Sequence, residues 1–291
     1  MMDAVTSSML DIANKPFVLP AHEPSRMARD FLFWRHLRVL RARTMRHFRR
    51  LTEQLGDKHR KGPAQNAYGV TMLPDWSDRT YAYCHYGTYG TYLADLVGAI
   101  DYPFLFLDIG ANQGLFSLIA ARNCKCAAIV ALEPVPNTYA RLEHNFVLNN
   151  VTDRARALKF GLSDRDGTHQ MTTCKRHSGV ATLEDHLSSR IPDADRRDVE
   201  LRTVSGLMPY LPDHLPIFVK IDVEGHEAVV IKQVLGTPLA DRIIGIFYEQ
   251  DRQWSDEATI ADLLAQAGFA VMRQYGRGRH FDALALPISQ W

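Results

Sequence analysis

The segment FLFLDIGANQGLF, residues 104–116, decides how this chain folds. An unbroken apolar run ends at Asp108, and two glycines four residues apart, Gly110 and Gly114, follow at once. Apolar residues then recur at the three- and four-residue spacing of a helix. The pattern predicts a buried strand over 104–108 and a helix over 112–122, joined by a tight turn. In open α/β sheets, ligands bind at such turns, beyond the carboxyl ends of the strands.

The chemistry of this turn indicates which ligand it holds. A dinucleotide-binding turn carries glycine two and five positions after the first, but here those positions are Asn112 and Leu115. The carboxylate of Asp108 would repel a pyrophosphate and suits a ligand with a cationic group. Glu133 ends the next predicted strand, where a carboxylate can accept hydrogen bonds from both hydroxyls of a ribose. A ribose together with an ammonium group describes S-adenosylmethionine, which we predict as the cofactor.

The predicted cofactor-binding residues are Asp108, Gly110, Ala111, Asn112, Gly114, Glu133, Ser163 and Asp164. The last two belong to the segment GLSDRDG, residues 161–167, which follows the third predicted strand. An acid at that place could accept a hydrogen bond from the exocyclic amine of adenine. An ordinary turn explains the segment equally well, because Asp-Arg-Asp-Gly is by itself a favourable turn sequence.

A second group of ionisable residues lies in VKIDVEGHE, residues 219–227, after the fourth predicted strand. Strand alternation places Lys220 and Asp222 on one face, and Glu224 and His226 follow where a helix begins. Methylation of an aliphatic hydroxyl is helped by a general base. We predict these four as catalytic residues, with Asp222 and Glu224 the first candidates for the base or for acceptor binding, and His226 the second.

Structural roles remain open for the same segment. The helix dipole favours acids in a first helical turn, Glu227 could close a capping box, and Lys220 could pair with an acid. A divalent metal that bridges Asp222 and a second acid such as Glu249 is a further alternative, although we expect no metal.

Strands and helices alternate through the remainder of the chain. We predict strands over 104–108, 127–133, 155–163, 216–222, 242–249, 269–275 and 282–287, and helices over 112–122, 138–148, 225–235 and 256–267. A hairpin-like excursion surrounds a polar loop over 175–198. This alternation is typical of an α/β fold with a mostly parallel sheet whose last strands are antiparallel.

Composition limits the class of protein. The chain has 291 residues, 46% of them hydrophobic, and a net charge of +1, which suits one large domain or one domain with an added segment. Its four cysteines lack a C-x-x-C spacing and are expected to be reduced. We find no signal-peptide pattern and no apolar run of the roughly 18 residues that a membrane span needs, so we expect a cytoplasmic protein, with attachment to a membrane surface left open.

The N-terminal part is strongly basic. Residues 26–61 hold twelve lysines and arginines and three acids, a net of +9, and their apolar residues recur at helical spacing. This predicts a basic amphipathic helix that either packs on the core or contacts an anionic lipid, a phosphate-bearing lipid carrier or RNA. We divide the chain into an N-terminal extension over 1–61, a tyrosine-rich connecting or cover segment over 62–99, and a catalytic domain over 100–291.

The segments LDIGANQG, ALEPVPNTY, GLSDRDG and VKIDVEGHE, in this order and spacing, resemble the FkbM family of S-adenosylmethionine-dependent O-methyltransferases. The resemblance covers about residues 84–287. It implies a Rossmann-like class I methyltransferase sheet of seven mostly parallel strands with helices on both faces. It also implies methyl transfer to a hydroxyl of a small molecule or glycan: a sugar, a glycolipid or polysaccharide precursor, or a polyketide-type natural product.

Two other classes of function stay open. An RNA methyltransferase could use the basic helix as a grip, but enzymes that methylate base amines commonly carry an Asn/Asp-Pro-Pro-aromatic motif after the fourth strand, where this chain reads IDVEG. We therefore expect no nucleic-acid partner. A non-catalytic adaptor could keep the fold while the basic helix docks on a membrane, but the full set of polar residues at the strand ends favours an enzyme.

Overall fold

The computed structural model describes residues 61–184, 188–189, 191–252, 256–275 and 280–288, with the backbone alone for 273–275. The basic helix predicted over 26–61 therefore lies, apart from Lys61, outside the described residues. The division of the chain at residues 61 and 99 stays a prediction.

A seven-stranded sheet forms the centre of the described chain, in the order β12-β13-β11-β10-β3-β4-β5. Neighbours from β11 to β5 are parallel, whereas β13 lies antiparallel to both β11 and β12. The strands are β3 (Phe104–Ile109), β4 (Cys126–Leu132), β5 (Ala155–Leu158), β10 (Ile217–Ile221), β11 (Ile243–Asp251), β12 (Phe269–Tyr275) and β13 (His280–Pro287). The predicted mostly parallel α/β sheet with antiparallel last strands is confirmed.

Helices cover both faces of this sheet. They are α1 (Arg79–Tyr86), α2 (Thr91–Gly98), α3 (Leu115–Ala121), α4 (Pro136–Leu148), α5 (Val204–Leu207), α6 (Glu227–Leu235) and α7 (Glu257–Gln266). Strand alternation divides the core into two clusters: Phe106 packs in one with α2, α3 and α4, while Leu105 and Leu107 pack in the other with α6 and α7. Strands buried on both faces read as continuous apolar runs, which explains FLFLDI.

The predicted third strand is divided between two sheets. Residues 155–158 form β5 of the main sheet, and the chain then turns away at buried Phe160 into β6 (Gly161–Leu162). The strands β6, β9 (Ala194–Arg202), β7 (Gly167–Cys174) and β8 (His177–Thr182) form a four-stranded sheet in that order. The predicted hairpin-like excursion is thus part of a second sheet, which we call the flanking sheet. An uninterrupted apolar alternation does not show where a chain leaves one sheet for another.

The cover segment is more ordered than a loop. A two-stranded sheet, β1 (Ala64–Gln65) with β2 (Thr71–Met72), precedes helices α1 and α2. Tyr81 and Leu93 are fully buried and belong to the same hydrophobic cluster as Phe104 of β3. None of the helices in the described part of the chain is long and apolar enough to cross a membrane.

Candidate functional site

A cavity of about 370 Å³ opens at the carboxyl ends of β3, β4, β10 and β11. Strand β8 of the flanking sheet supplies the facing wall, and tyrosines of the cover segment, Tyr83 and Tyr89, close one side. We call the two parts of this cavity the Glu133 end and the Glu249 end, after the carboxylate that each contains. The position matches the ligand-binding place of open α/β sheets.

The turn after β3 lies against the end of β10. Gly110 and Gly114 have φ angles of +78° and +87°, and Asn112, with φ of +51°, also adopts the left-handed conformation. A Cβ atom on Gly110 would lie 1.9 Å from the carbonyl oxygen of Asp222, so this close approach needs glycine. Gly110, Ala111 and Asn112 line the cavity, whereas Gly114 faces Leu142 of α4 and lies outside the lining.

Glu133 lies at the cavity wall and is held by the backbone. Its carboxylate accepts hydrogen bonds from the N–H groups of Asn112, at 3.0 Å, and Val135, at 2.8 Å. Burial raises the pKa of Glu133 to about 7 although both N–H groups favour the charged form. A carboxylate has about four acceptor positions, so two remain for hydroxyl donors of a ligand, and the ribose contact predicted for Glu133 stays a prediction. Beyond it, the apolar side chains of Leu162 and Met171 line the wall, which suits a flat ring.

Asp108 and Lys220 form a buried ion pair behind the cavity. The Lys220 ammonium lies 3.2 Å from Asp108 Oδ1, and Ser117 Oγ donates to Asp108 Oδ2 at 2.7 Å. Asp108 is fully buried and outside the cavity lining, while Lys220 lines the cavity and also donates to the carbonyl oxygen of Gly110. The contact predicted between Asp108 and a cationic group of the cofactor stays a prediction. In the described structure its cationic neighbour is Lys220.

Lys220 is a cation rather than a proton acceptor. Burial opposes its charge, but Asp108 and Asp222 outweigh that effect and raise the pKa of Lys220 above its ordinary value. Its ammonium therefore stays protonated at neutral pH, where it can bind an anion or hold Asp222, which lies 3.6 Å away.

Ser163 and Asp164 lie near the cavity but do not line it. Ser163 is fully buried, and its Oγ lies 3.0 Å from Nε2 of His226, while Asp164 is exposed. His226 Nδ1 lies 3.2 Å from a carboxylate oxygen of Glu184. His226 does line the cavity, and its two ring nitrogens connect the main sheet to the flanking sheet. The adenine contact predicted for Ser163 and Asp164 stays a prediction.

Three carboxylates meet at the Glu249 end. The closest oxygens of Asp222, Glu224 and Glu249 all lie within 4.8 Å of one another. Carboxylates at this spacing could hold a divalent cation, but they also occur without one. Tyr89 Oη donates to Asp222 Oδ2 at 2.8 Å, and His280 Nε2 lies 2.7 Å from Glu249 Oε1. The predicted pair Asp222 and Glu224 is thus brought together, and the wall of the cavity includes both.

Burial and neighbouring charges shift the pKa values of these carboxyl groups in opposite directions. Burial opposes ionisation of Asp222, but the Lys220 ammonium together with hydrogen bonds from Glu249 and Tyr89 outweighs it and holds the pKa of this carboxyl below its ordinary value. Burial, followed by the neighbouring acids, raises the pKa values of Glu224 and Glu249 well above the ordinary range. The hydrogen bond to Glu249 raises the pKa of His280 to about 9. This end can therefore hold both proton acceptors and proton donors at neutral pH.

The sequence indicated Tyr89 only as one of the cover-segment tyrosines, which either line a substrate pocket or pack, it gave no signal for His280, and it indicated Glu249 only as a metal ligand. Glu249 ends the strand predicted over 242–249 and lies two residues before the end of β11, so its place near the carboxyl edge was a usable signal. His280 begins β13, whose antiparallel pairing sets His280 opposite Asp251. That pairing depends on strand order and leaves no local pattern in the sequence.

The sheet order and the cavity at its carboxyl edge define a Rossmann-like methyltransferase fold. The family model "Methyltransferase FkbM domain" matches residues 108–271, which is more than half of the chain. The protein therefore belongs to the FkbM family of methyltransferases.

Two curated relatives are methyltransferases by name. "Methyltransferase sdnD" of Sordaria araneosa is 34% identical over 165 residues, which are 48% of this chain and 63% of that protein. "Methyltransferase 1" of Beauveria bassiana is 27% identical over 180 residues, which are 57% of this chain and 72% of that protein. The chain thus spans less than two thirds of the Sordaria protein's length. Among solved structures, cofactor-bound Rv0187 from MTB is 17% identical with a TM-score of 0.41, covering 68% of this chain and 78% of that one.

Proposed function

We propose that this methyltransferase uses S-adenosylmethionine and methylates a hydroxyl of a sugar, a glycolipid or polysaccharide precursor, or a polyketide-type natural product. The observation that carries the proposal is the division of one cavity into two chemically different ends. The Glu133 end offers a carboxylate with unused acceptor positions beside an apolar wall. The Glu249 end offers carboxylates, a tyrosine and a histidine, which suit a polyhydroxylated acceptor.

The chain's residues fit the cofactor. Glu133 would accept from the ribose hydroxyls, and the turn at Gly110 and Asn112 lets the methionine part approach the backbone. The ammonium of Lys220, which lines the cavity, would attract the cofactor's carboxylate. When bound, the cofactor supplies an already activated methyl group, so the protein has to orient the acceptor oxygen, exclude water and accept one proton.

Calorimetric titration with S-adenosylmethionine tests the cofactor assignment. Glu133→Gln removes the charge that strengthens the ribose hydrogen bonds and should weaken binding by roughly 1.5–3 kcal/mol. The matched control is Glu143→Gln on α4, whose exposed carboxylate accepts from Tyr139 and lies away from the cavity. If wild type and Glu133→Gln bind equally well, Glu133 does not hold the ribose.

Transfer of a labelled methyl group identifies the acceptor class. The protein is incubated with S-adenosylmethionine labelled in the methyl group and with cell extract separated into lipid, glycan, RNA and small-molecule fractions. We expect label in the glycan, lipid or small-molecule fraction, in a form stable to the conditions that hydrolyse methyl esters. Label confined to RNA would contradict the proposal.

The basic segment over 26–61 is proposed to bring an anionic lipid or lipid-linked acceptor to the cytoplasmic enzyme. Its net charge of +9, on a chain of net +1, supports this role. Charge reversal at Arg38, Arg41, Arg46 and Arg49 should abolish binding to vesicles of anionic lipid and leave cofactor affinity unchanged. Added salt should reproduce the loss, because exposed charges are screened within about 8–10 Å. Wild-type protein that ignores such vesicles at low salt would contradict this role.

A further inference from the structure

Strand β8, the wall that faces the carboxyl ends of the main sheet, is held in place partly by side chains. Its register with β7 shifts within residues 177–181, where regular pairing is interrupted. There the N–H group of Ser178 donates to Asp78 Oδ1 at 2.9 Å, and the N–H group of Gly179 donates to Thr80 Oγ1 at 2.8 Å. The N-terminal end of α1 therefore positions this part of the cavity wall.

The buried carboxylate of Asp78 also reaches the turn after β3, residues 110–114, which we call the glycine turn. Its Oδ2 accepts a hydrogen bond from the side-chain amide of Gln113 and lies 2.7 Å from Ser178 Oγ. Its Oδ1, which holds β8, also caps α1 by accepting from the N–H group of Thr80 at 3.0 Å. The two oxygens thus have different tasks, because Oδ1 holds β8 and the helix, whereas Oδ2 connects both to the glycine turn.

The glycine turn is in direct contact with the Glu133 end. The N–H group of Asn112 donates to the carboxylate of Glu133 at 3.0 Å, and Asn112 Oδ1 accepts from the backbone N–H group of Gln113 at 2.8 Å. Asn112 has a φ of +51°, a conformation that is unfavourable for a residue with a side chain and persists where its surroundings fix it. A ligand that binds Glu133 should therefore fix the turn, and with it the amide of Gln113.

The other end of β8 contacts the loop that carries Asp222 and Glu224. Thr182 is buried, and its Oγ1 donates to the carbonyl oxygen of Glu224 at 2.8 Å. Glu224 also has a positive φ, +50°, so this hydrogen bond supports a strained backbone. Between the two attachments, residues 179–181 line the cavity. Strand β8 thus connects the glycine turn to the loop at the Glu249 end.

We propose that Asp78 is a positioning residue that ties β8 to the glycine turn, so that cofactor binding fixes the wall and the loop that contact the acceptor. This inference rests on the proposed function, which assigns the cofactor to the Glu133 end and the acceptor to the Glu249 end. Once the cofactor has ordered the turn and β8, the acceptor no longer has to order them, and it binds more tightly. The cofactor therefore binds first. This path runs through β8 and does not include Lys220 on the main sheet.

Hydrogen exchange in the full-length protein, with and without saturating S-adenosylmethionine, tests this coupling. In wild type, the cofactor should slow exchange of the N–H groups of β8 and of residues 222–225 by roughly fivefold or more, the lower range of coupling between sites. Bound ligand also stabilises the whole protein, and the N–H groups of α7, which lies outside the cavity lining, measure that general effect. The slowing in β8 is therefore compared with the slowing in α7.

Two variants remove the contact between Asp78 and the turn. In Asp78→Asn, the remaining oxygen can still cap α1 and hold β8, but an amide nitrogen replaces the oxygen that accepts from Gln113. Gln113→Met removes the same hydrogen bond from the other side and leaves no amide that could rotate to replace it. In both variants the cofactor should still slow exchange in the glycine turn, while the slowing in β8 falls to that of α7. The double variant should show no further loss, because both changes break one hydrogen bond.

The matched control is Asp256→Asn. Asp256 caps α7 as Asp78 caps α1, since its Oδ1 accepts from the N–H group of Ala258 at 3.0 Å, and it lies outside the cavity lining. This variant should keep the slowing of β8 that wild type shows. Thr182→Val tests the other attachment: the cofactor should still slow exchange in β8 but no longer in residues 222–225.

A rate measurement supplies a readout that a merely structural role would not move. With the extract fraction that wild-type protein labels, Asp78→Asn should raise the acceptor's KM by roughly fivefold and leave kcat within about twofold of wild type. Asp256→Asn should change neither value.

The outcomes separate this inference from the proposed function. If Gln113→Met and Asp78→Asn keep the full slowing in β8, the cofactor acts on that wall directly and Asp78 does not position it. An equal loss in Asp256→Asn would mean that helix capping causes the effect, which also overturns the inference. If Asp78→Asn does not fold, Gln113→Met decides alone. Wild-type protein that binds the cofactor without slowing β8 contradicts the coupling, whereas wild-type protein that binds no cofactor contradicts the proposed function itself.

Discussion

The two ends of the cavity are built in different ways. At the Glu133 end, a carboxylate is held by two backbone N–H groups, one from the glycine turn after β3 and one two residues along the chain. At the Glu249 end, side chains from distant segments meet. Tyr89 and Asp222 are 133 residues apart in sequence, and His280 comes from the antiparallel strand β13. Backbone-held sites leave short motifs, whereas sites assembled by strand order do not.

Lys220 connects the two ends, since it contacts both the Gly110 carbonyl and Asp222. Its removal should cause the largest loss of stability among the changes considered. Lys220→Met would leave the fully buried carboxylate of Asp108 without its cation and lower the free energy of unfolding by about 4 kcal/mol. Urea denaturation measures the change. Adding Asp108→Asn should restore part of the stability, because it removes the uncompensated charge. A stable Lys220→Met protein would show that the ion pair is not what joins the ends.

The turn at the Glu133 end does not tolerate a side chain at Gly110. Gly110→Ala would place a Cβ atom 1.9 Å from the Asp222 carbonyl oxygen, on a residue with φ of +78°. We expect a loss of about 3 kcal/mol in the free energy of unfolding. Gly98→Ala is the matched control, since a Cβ there meets nothing within 4 Å and φ is not positive. Equal stability of the two variants would contradict the close packing of this turn on β10.

Much of the Glu133 end was predictable from sequence, because its chemistry is carried by neighbours along the chain. The strand, the two glycines and the acid that ends the next strand predicted the fold and the place of the cavity at the carboxyl edge of the sheet. Two outcomes were not predictable. Burial of Asp108 against Lys220 depends on how β3 pairs with β10, and the branching of the chain after β5 into the flanking sheet follows an unbroken apolar alternation.

Backbone N–H groups also hold the loop that carries Asp222 and Glu224, because they donate hydrogen bonds to the side chain of Glu227. Its carboxylate accepts from the N–H groups of Val223 and Gly225, and burial still raises the pKa of Glu227 to about 7. Between the ordinary value of 4.5 and about 7, the folded state binds the proton more tightly than the unfolded state. Stability contributed by this group is therefore present at low pH and is lost as pH rises through that window.

Glu227→Gln should remove this dependence. The glutamine oxygen can still accept a hydrogen bond from one of the two N–H groups, so the variant should fold. Between pH 4.5 and 7, we expect its free energy of unfolding to rise relative to that of wild type by about 2 kcal/mol. Thermal unfolding across that range measures the difference between the two proteins. Parallel pH profiles would mean that Glu227 ionises normally and that the loop is not held by a buried acid.

The smallest expected effect tests whether the two ends act independently. Tyr89→Phe removes the hydroxyl that donates to Asp222 at 2.8 Å and leaves the ring, which packs against Phe116 at a centroid distance of 5.6 Å. The lost hydrogen bond is worth about 1 kcal/mol net, so the acceptor's KM should rise roughly fivefold. The variant should bind S-adenosylmethionine as wild type does, because the Tyr89 hydroxyl contacts Asp222 at the Glu249 end. If cofactor affinity falls as much as acceptor affinity, the loss is transmitted from Asp222 through Lys220 to the glycine turn. The cavity would then behave as one hydrogen-bonded unit rather than as two ends that meet at the transferred methyl group.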